Sequence, residues 1–258
     1  MRRTLAVILL IAGFTTGATP PGGARLTYVQ GTCQIANADA KWRPMKLGDR
    51  AMLGNQVRTG SKSRAELSFA DGTIVRLSPD SRLQFKVERA GGPGAYKTLL
   101  QAWAGQVWAH VAKNRGQFAI AGTQSVAAVT GTTFRMEVQK EKTATVVYEG
   151  SVGIAAEPKE ASEVSMALLE KAPQPPAQPA AFGKPTEIGK PYSVVSPPMH
   201  AIAGPHTVSR DEWLTIVTNQ RIDVDADGQA IVSEVAPGQE SQQDWVQWNQ
   251  GRDAAAGQ

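Results

Sequence analysis

Short β-prone segments separated by turn residues fill residues 25–155 and constrain the fold more than any other feature. Residues 65–69 alternate apolar and polar side chains, as one half-buried strand would, and a second such segment follows Asp71-Gly72. An Asp-Gly pair between two β-prone segments favours a hairpin, because glycine accepts the positive φ of a tight turn. Such β-prone segments recur at intervals of roughly 8–12 residues, and no helical period interrupts them. This pattern predicts a mostly β domain. Further strands are predicted at residues 83–87, 96–101, 106–111, 117–120, 125–129, 133–138, 143–148 and 151–154.

The N-terminus has the pattern of a secretion signal. Two arginines precede an uncharged apolar segment at residues 5–14, and small residues follow, with Ala18 and Ala24 as candidate cleavage positions. The apolar segment is shorter than the ~20 residues that a membrane-spanning helix needs. We therefore expect a signal peptide over residues 1–24 and an exported chain, periplasmic or secreted. An uncleaved signal is the alternative, and it would supply the protein's only membrane contact.

Charge is segregated along the chain. Lys and Arg outnumber Asp and Glu by 18 to 9 in residues 25–155, whereas acidic residues outnumber basic ones by 14 to 7 in residues 156–258. The basic half could bind an anionic cell-wall polymer, or the acidic half could fold back and neutralise it. An exported chain without an aromatic-basic motif is not expected to bind nucleic acid. The lone Cys33 allows no internal disulfide and is expected to be a buried small apolar residue.

Composition changes after the β-prone region. Residues 156–204 are charged and then rich in proline, since residues 171–198 hold eight of the 16 prolines, and they are expected to form a linker. Residues 205–258 form an acidic tail that contains three of the six tryptophans. A unit this small cannot bury three tryptophans alone. We expect them to be buried against the β domain or against another protein.

Three elements are predicted within the tail. Residues 209–212 have the sequence Ser-Arg-Asp-Glu of a capping box, which predicts a helix that places Trp213, Ile216 and Val217 on one face. Residues 220–235 suggest a hairpin. Residues 240–252 suggest a short final helix that carries Trp245 and Trp248, so the tail is expected to be a small α+β unit.

Several short motifs occur in order through residues 25–155. They are Leu47-Gly48-Asp49, Val57-x-Thr59-Gly60, Ala65-x-Leu67, Asp71-Gly72-Thr73, Gly105-Gln106-Val107, Val129-Thr130-Gly131-Thr132-x-Phe134 and Val147-x-Glu149-Gly150-x-Val152. In this order they resemble a FecR-type domain. The resemblance implies an elongated, mostly β domain of short strands, similar to a right-handed β-helix, with a periplasmic signal-receiving or protein-contact role.

The resemblance has one departure. FecR-type regulators carry a cytoplasmic segment that contacts a sigma factor and then a membrane helix, whereas only residues 1–4 precede the apolar segment here. We therefore expect an exported stand-alone relative that does not itself regulate a sigma factor. Residues 244–253, Asp-Trp-x-x-Trp-Asn-x-x-Arg-Asp, also resemble the ends of some exported proteins that bear this domain.

One motif has the spacing of a calcium loop. The pattern D-x-D-x-D-G-x5-E is met by Asp223, Asp225, Asp227, Gly228 and Glu234. Oxygen ligands at alternate positions and a glycine at the bend are what calcium coordination needs. However, a Pro-Gly pair soon afterwards leaves little room for an exit helix, and the flanking residues suit two strands. A hairpin turn is the expectation, and bound calcium is the minority hypothesis.

Histidines and tryptophans complete the candidates. His110 and Trp108 lie two residues apart on one predicted strand face, where a structural histidine is expected, and Trp103 lies just before. Either both tryptophans are core residues or one is exposed to stack on a sugar or partner. His200 and His206 provide too few ligands for a closed zinc site.

Basic residues near successive turns could form a ridge. They are Arg58, Lys62, Arg64, Arg76 and Arg82. If their side chains all point outward, they form a basic surface along the domain. The alternative is a scattered, solvated set of charges.

These features favour binding over catalysis. There is no G-x-S-x-G elbow and no phosphate-loop lysine, so no catalytic, cofactor or metal residue is assigned. We expect a non-enzymatic envelope interaction module whose partner is an envelope protein or an anionic cell-wall polymer. Two alternatives are a structural or adhesin-like scaffold ordered by calcium, and a cell-wall-associated hydrolase with an unrecognised site.

Overall fold

The structure is a computed structural model, and it describes seven stretches of the 258-residue chain. They are residues 23–37, 41–89, 96–113, 117–156, 206–207, 213–236 and 238–256. The predicted signal peptide up to residue 22, the predicted linker from residue 157 to residue 204 and the predicted capping box at residues 209–212 lie outside the described residues.

Eighteen strands, a 3₁₀ turn and one α-helix make up the described part. The strands are β1 (Ala24–Gln30), β2 (Cys33–Ala36), β3 (Arg43–Pro44), β4 (Arg50–Ala51), β5 (Gln56–Thr59), β6 (Arg64–Phe69), β7 (Ile74–Leu77), β8 (Arg82–Arg89), β9 (Tyr96–His110), β10 (Gln117–Ala121), β11 (Ser125–Val129), β12 (Thr133–Val138), β13 (Lys142–Glu149), β14 (Ser151–Ala156), β15 (His206–Thr207), β16 (Leu214–Val217), β17 (Gln220–Asp225) and β18 (Gln229–Glu234). The 3₁₀ turn is Glu240–Gln242, and the helix α1 is Asp244–Ala256.

The strands form two sheets that share β9. Sheet A has the order β4-β1-β6-β7-β9-β12-β13-β17-β18-β15. Sheet B has the order β3-β2-β5-β8-β9-β10-β11-β14-β16. Within the described strands, every pairing is antiparallel except β9 with β10. Two faces of apolar side chains meet between the sheets, as in a β-sandwich.

Strand β9 passes from one sheet to the other at Gly105. Its first half pairs with β8 in sheet B up to Ala104, and its second half pairs with β12 in sheet A from Gly105 onward. Gly105 has a φ of +83°, and a Cβ there would lie 2.7 Å from the backbone Cα of Ser81. Only glycine therefore fits both the left-handed backbone and the close approach of the neighbouring turn.

One continuous hydrophobic core lies between the sheets. Sheet A contributes Leu67, Val75, Val107 and Phe134, and sheet B contributes Ile35, Val57, Leu83, Leu100 and Ile120, all of them buried. These residues alternate with outward-facing ones along each strand, as the two-residue period of β structure requires. The outer faces of the two sheets are therefore where functional side chains can lie.

The prediction of a mostly β fold is confirmed, whereas a right-handed β-helix is not. A β-helix stacks successive coils in parallel, but here tight hairpins join neighbouring strands in antiparallel pairs. Gly72, with a φ of +93°, forms the predicted hairpin between β6 and β7. Gly150, with a φ of +87°, lies between β13 of sheet A and β14 of sheet B, which do not pair with each other. Gly72 therefore reverses the chain within one sheet, whereas Gly150 lies where the chain passes from one sheet to the other.

Two of the three elements predicted for the tail are confirmed. Residues 220–235 form the β17–β18 hairpin, and the final helix is present as α1, preceded by the 3₁₀ turn. The helix predicted after residue 212 is wrong over residues 214–217, which form β16 and pair with β14. Ile216 is 1% exposed and Val217 46% exposed, so burial follows a period of two. Among the described residues, no helix is long and apolar enough to cross a membrane.

We predict that Gly105→Ala destabilises the fold more than Gly48→Ala does. Gly48 also has a positive φ, +89°, but a Cβ there meets nothing within 4 Å. The Gly48 variant should therefore lose only the backbone term, about 1–2 kcal/mol. The Gly105 variant should lose about 1–3 kcal/mol more from the clash with Ser81. Urea unfolding measures both, and equal losses would contradict a special role for the β9 junction.

Candidate functional site

A row of polar and aromatic residues crosses the outer face of sheet A. Strand register places Tyr28, Glu66, Arg76, Trp108 and Arg135 side by side on five neighbouring strands. Their sequence neighbours point into the core, so these five side chains point away from it. Yet Arg76, Trp108 and Arg135 are only 1%, 1% and 2% exposed. Something must cover this row and satisfy its charges.

Helix α1 covers the row and supplies the missing partners. Arg76 donates from Nε to Oε2 of Glu66 over 2.7 Å, and from Nη1 to Oδ1 of Asp253 over 2.6 Å. Arg252 donates to the same Glu66 oxygen over 2.9 Å. The indole of Trp108 donates to the second Asp253 oxygen over 2.9 Å. Two arginines and two carboxylates therefore alternate across the contact between helix and sheet.

A second polar anchor lies at the start of the helix. Arg135 donates from Nη1 to Gln243 over 3.0 Å and to Gln106 over 3.1 Å, and its Nη2 pairs with Glu240. The hydroxyl of Tyr148 donates to the same Glu240 carboxylate over 3.2 Å. Burial raises the pKa of Tyr148, so its hydroxyl remains a donor at neutral pH. The 3₁₀ turn is thereby fixed to β12 and β13.

Aromatic rings fill the space between these anchors. Trp245 and Trp248 stack with their centroids 5.3 Å apart, and Tyr28 lies 5.5 Å from Trp248. On the sheet, Trp108 and Tyr148 stack at 4.5 Å. Trp245 is buried against sheet A, as expected for the tail tryptophans, whereas Trp213 and Trp248 are half-buried.

The shared carboxylate of Glu66 remains ionised. Burial alone would raise its pKa, but hydrogen bonds from Arg252, Arg76 and Thr27 outweigh burial and lower the pKa below its ordinary value of 4.5. Glu66 therefore acts as a fixed negative charge between two guanidinium groups. The arrangement is a structural ion network that holds the tail on sheet A.

A different set of side chains lies on the outer face of sheet B. Trp42 lies over the guanidinium of Arg58, at 4.1 Å from ring centroid to Cζ, and at 5.7 Å from that of Arg82. Trp103 lies 4.9 Å from Arg82 on the other side. We call these four residues the tryptophan–arginine face. Arg82 is exposed and the other three are half-buried, so solvent reaches the face.

Neutral side chains hold the two arginines of this face. Arg58 donates from Nε to Oε1 of Gln34 over 2.8 Å, and Arg82 donates from Nη2 to Oε1 of Gln56 over 2.7 Å. Arg58 and Arg82 are also direct cross-strand partners. Two like charges side by side repel, so the indoles and glutamine oxygens are what keep them together.

The structure does not form the single basic ridge that the sequence suggested. Arg64 and Arg76 belong to sheet A, and both pair with aspartates of α1. Arg58 and Arg82 belong to sheet B, while Lys62 lies exposed in the turn before β6. The side chain of Arg76 does point away from the core, but α1 covers it, so it is not available at the surface. Sequence spacing does not tell which sheet a strand joins or which face a helix covers. Of the two tryptophans weighed together, Trp108 is buried and Trp103 is half-buried.

The calcium motif forms the predicted hairpin turn. Asp223 accepts two hydrogen bonds from Arg221, both of 2.8 Å, and these bonds lower its pKa against the effect of burial. Asp225 accepts from the backbone NH of Asp227 over 2.8 Å, an Asx turn. Among the described residues no group of three or more His, Cys, Asp or Glu could hold a metal. Calcium binding through these aspartates and Glu234 stays a hypothesis, which calorimetry with calcium on the metal-free protein tests.

His110 and Cys33 have structural environments. His110 Nδ1 lies 2.9 Å from the hydroxyl of Thr133 on the neighbouring strand, as a structural histidine would. Burial raises the pKa of the Cys33 thiol to about 12, so Cys33 behaves as a small apolar residue. The His206 side chain and all of His200 lie outside the described residues.

We predict that Arg76 and Asp253 are energetically coupled. Arg76→Gln removes the cation that Glu66 and Asp253 share and should lower the free energy of unfolding by about 3–5 kcal/mol. Asp253→Asn keeps an acceptor for Trp108 and should cost much less on the Arg76→Gln background than on the wild type. Arg25→Gln, at an exposed position of β1, is the control and should change stability by less than about 0.5 kcal/mol. Urea unfolding measures the cycle, and additive losses would contradict the network.

We predict a loss of stability in acid that Glu66 helps to cause. Because its folded-state pKa lies below 4.5, the stability from its ionised form is complete above that pH. That stability is lost as the pH falls through the lowered folded-state value. Urea unfolding between about pH 6 and pH 3 should show a shallower decline for Glu66→Gln than for the wild type. Glu149→Gln, which removes an exposed ion pair with Lys113, should keep the wild-type slope.

Comparison with known proteins supports the resemblance drawn from the motifs. Residues 55–153 match the family model described as FecR protein. Among the curated proteins nothing matches. A solved structure described as "a putative anti-sigma factor from Parabacteroides distasonis ATCC 8503" has 12% identity and a TM-score of 0.44, with 72% of this chain covered. The chain spans 62% of that structure's length.

A second solved structure, described as a cell surface anchoring domain, has 28% identity and a TM-score of 0.23. It covers 24% of this chain and 83% of its own. The order of the turn and strand motifs and the family match agree on the same part of the molecule. Residues 55–153 are thus similar to a FecR-type domain.

Proposed function

We propose that this protein is an exported FecR-type module that receives a signal by binding an envelope protein or an anionic cell-wall polymer, and that it is not an enzyme. The observation that carries the proposal is the FecR match over residues 55–153. The matched segment runs from β5 into β14 and therefore contributes central strands to both sheets. A regulatory domain of this family works through contacts with partners, and the ionisable clusters described above form ion pairs within the molecule.

The docked tail supports a binding role for the remaining surface. Arg64, Arg76 and Arg135 from the basic half each pair with a carboxylate from the acidic tail. Part of the charge asymmetry is thus neutralised within the molecule, on sheet A. Positive charge that remains available to an outside partner lies elsewhere, and the outer face of sheet B is one such place.

The position of Ala24 in the fold bears on where a signal peptide would be cleaved. Ala24 begins β1, is buried, and pairs with Phe69 and Ala51. Cleavage after Ala24 would remove that residue from the sheet, whereas cleavage after Ala18 would leave β1 whole. We therefore propose Ala18 as the cleavage position if the apolar segment at residues 5–14 acts as a signal.

The location is tested by fusing an export-dependent reporter enzyme after residue 258. We expect reporter activity with the native N-terminus and a mature protein that begins after Ala18, as read by N-terminal sequencing. A variant without residues 5–14 is the control and should be inactive. Activity that persists without the apolar segment, or a native fusion retained in the cytoplasm, would overturn the proposed export.

Binding is tested with the full mature protein and intact peptidoglycan sacculi. A polymer partner predicts co-sedimentation at low salt that is lost at high salt, because exposed charges are screened. A protein partner predicts a discrete photo-crosslinked product in the envelope fraction instead. The absence of both would contradict a binding module. Release of soluble fragments from the sacculi would contradict the non-enzymatic proposal and support the hydrolase alternative.

A further inference from the structure

We propose that the tryptophan–arginine face of Trp42, Arg58, Arg82 and Trp103 binds an acidic glycan, a sugar chain that carries carboxylate or phosphate groups. This inference rests on the proposed function in one respect, that the protein acts by binding outside the cytoplasm. It goes further by assigning the surface and the chemistry of its ligand.

The first argument is uncompensated charge. Among the described residues, Arg58 and Arg82 form no ion pair, and their hydrogen-bond partners are the neutral Gln34 and Gln56. On the opposite sheet and its helix, by contrast, the buried and half-buried arginines among the described residues all pair with carboxylates. They are Arg64, Arg76, Arg135, Arg221 and Arg252. An anion between Arg58 and Arg82 would relieve the repulsion of two cross-strand cations.

The second argument is preorganisation. Each guanidinium is fixed by an indole ring and by a glutamine oxygen, so little side-chain freedom remains to be lost on binding. Nη1 and Nη2 of Arg58, and Nη1 of Arg82, have no partner among the described residues. A planar guanidinium with free N–H groups suits a carboxylate or phosphate, which it binds through paired hydrogen bonds.

The third argument selects a glycan among anions. The amide nitrogens of Gln34, Gln56 and Gln84 have no described partner and lie on strands that flank the arginines, so they can donate to sugar oxygens. The exposed parts of the indoles offer an apolar surface to the C–H face of a sugar ring. Rows of donors across an open sheet suit a linear chain that lies along it.

The test measures binding of the full mature protein to polygalacturonate oligosaccharides by calorimetry. We expect heat and saturable binding at low salt, weaker binding as salt rises, and no binding of neutral maltooligosaccharides. Quenching or shift of tryptophan fluorescence should follow the same curve. Equal binding of the neutral and acidic oligosaccharides would overturn the role of the arginines.

Two double variants with the same loss of charge locate the site. Arg58→Gln/Arg82→Gln should weaken binding about tenfold or more, since it removes charge-assisted hydrogen bonds. Arg25→Gln/Arg50→Gln is the matched control, because these arginines are also cross-strand partners but lie on sheet A, away from the tryptophan–arginine face. The control should bind as the wild type does. Equal weakening by both double variants would reduce the effect to net charge and overturn the assigned face.

A third variant tests the aromatic part of the face. Trp42→Ala should weaken binding with little change in melting temperature, because Trp42 is half-buried and lies just before β3, outside every strand. Wild-type affinity in this variant would contradict the assignment. Circular dichroism melts on every variant separate lost binding from lost folding.

The alternative macromolecule is an acidic membrane. Leu47 and Leu53 are exposed at 63% and 61% on two turns and could insert into a bilayer. Binding to anionic lipid vesicles that depends on these leucines, without binding to polygalacturonate, would overturn the glycan proposal.

If polygalacturonate binding fails while sacculi or an envelope protein still bind, only this inference is wrong. If export fails while purified protein still binds the glycan, only the proposed function falls.

Discussion

Burial of two arginines beneath the C-terminal helix is the interaction on which the sheet A side of the molecule depends. A guanidinium cannot be removed from water without a negative partner and hydrogen bonds. Glu66 on the neighbouring strand supplies one partner for Arg76, and α1 and the 3₁₀ turn bring Asp253 to Arg76 and Glu240 to Arg135. The acidic tail is therefore part of the folded domain, although 48 residues, 157–204, separate it from β14 in sequence. A sheet face that would otherwise be an exposed cationic surface becomes an interior.

The two outer faces of the sandwich differ in how their arginines are satisfied. On sheet A carboxylates from within the chain neutralise them, whereas on sheet B indole rings and glutamine oxygens hold Arg58 and Arg82 in place. Cation–π contact and a neutral acceptor stabilise the position of a guanidinium without cancelling its charge. The net charge of the chain therefore says little about partners. What matters is which positive groups the fold leaves without a negative neighbour.

Local signals in the sequence predicted the fold class, the hairpins and the final helix. Gly72 and the 220–235 hairpin follow from turn chemistry, which acts over a few residues. The helix predicted over residues 213–217 was wrong because so short an apolar pattern fits both a helical and a strand period. Pairing with β14 stabilises the strand. The ion network could not be predicted, because Arg76 and Asp253 are brought together by strand order and helix docking. The tryptophan–arginine face was not predicted either. Strand pairing brings Arg58 and Arg82 together, and Trp42, which lies over Arg58, is outside every predicted strand.

The polar character of the docked helix bears on specificity more than on stability. Replacing a buried ion network by apolar side chains of similar volume is often neutral or stabilising, so the network is a costly way to attach a helix. The cost is visible here: within the described residues, Arg135 Nε and Trp245 Nε1 are buried without a hydrogen-bond partner. An apolar helix could slide or rotate on an apolar sheet with little penalty. Glu66 accepts from three donors and Asp253 from two, so a shift of the helix by one residue would leave buried charges unpaired. The charges therefore fix one position of the tail on the sheet.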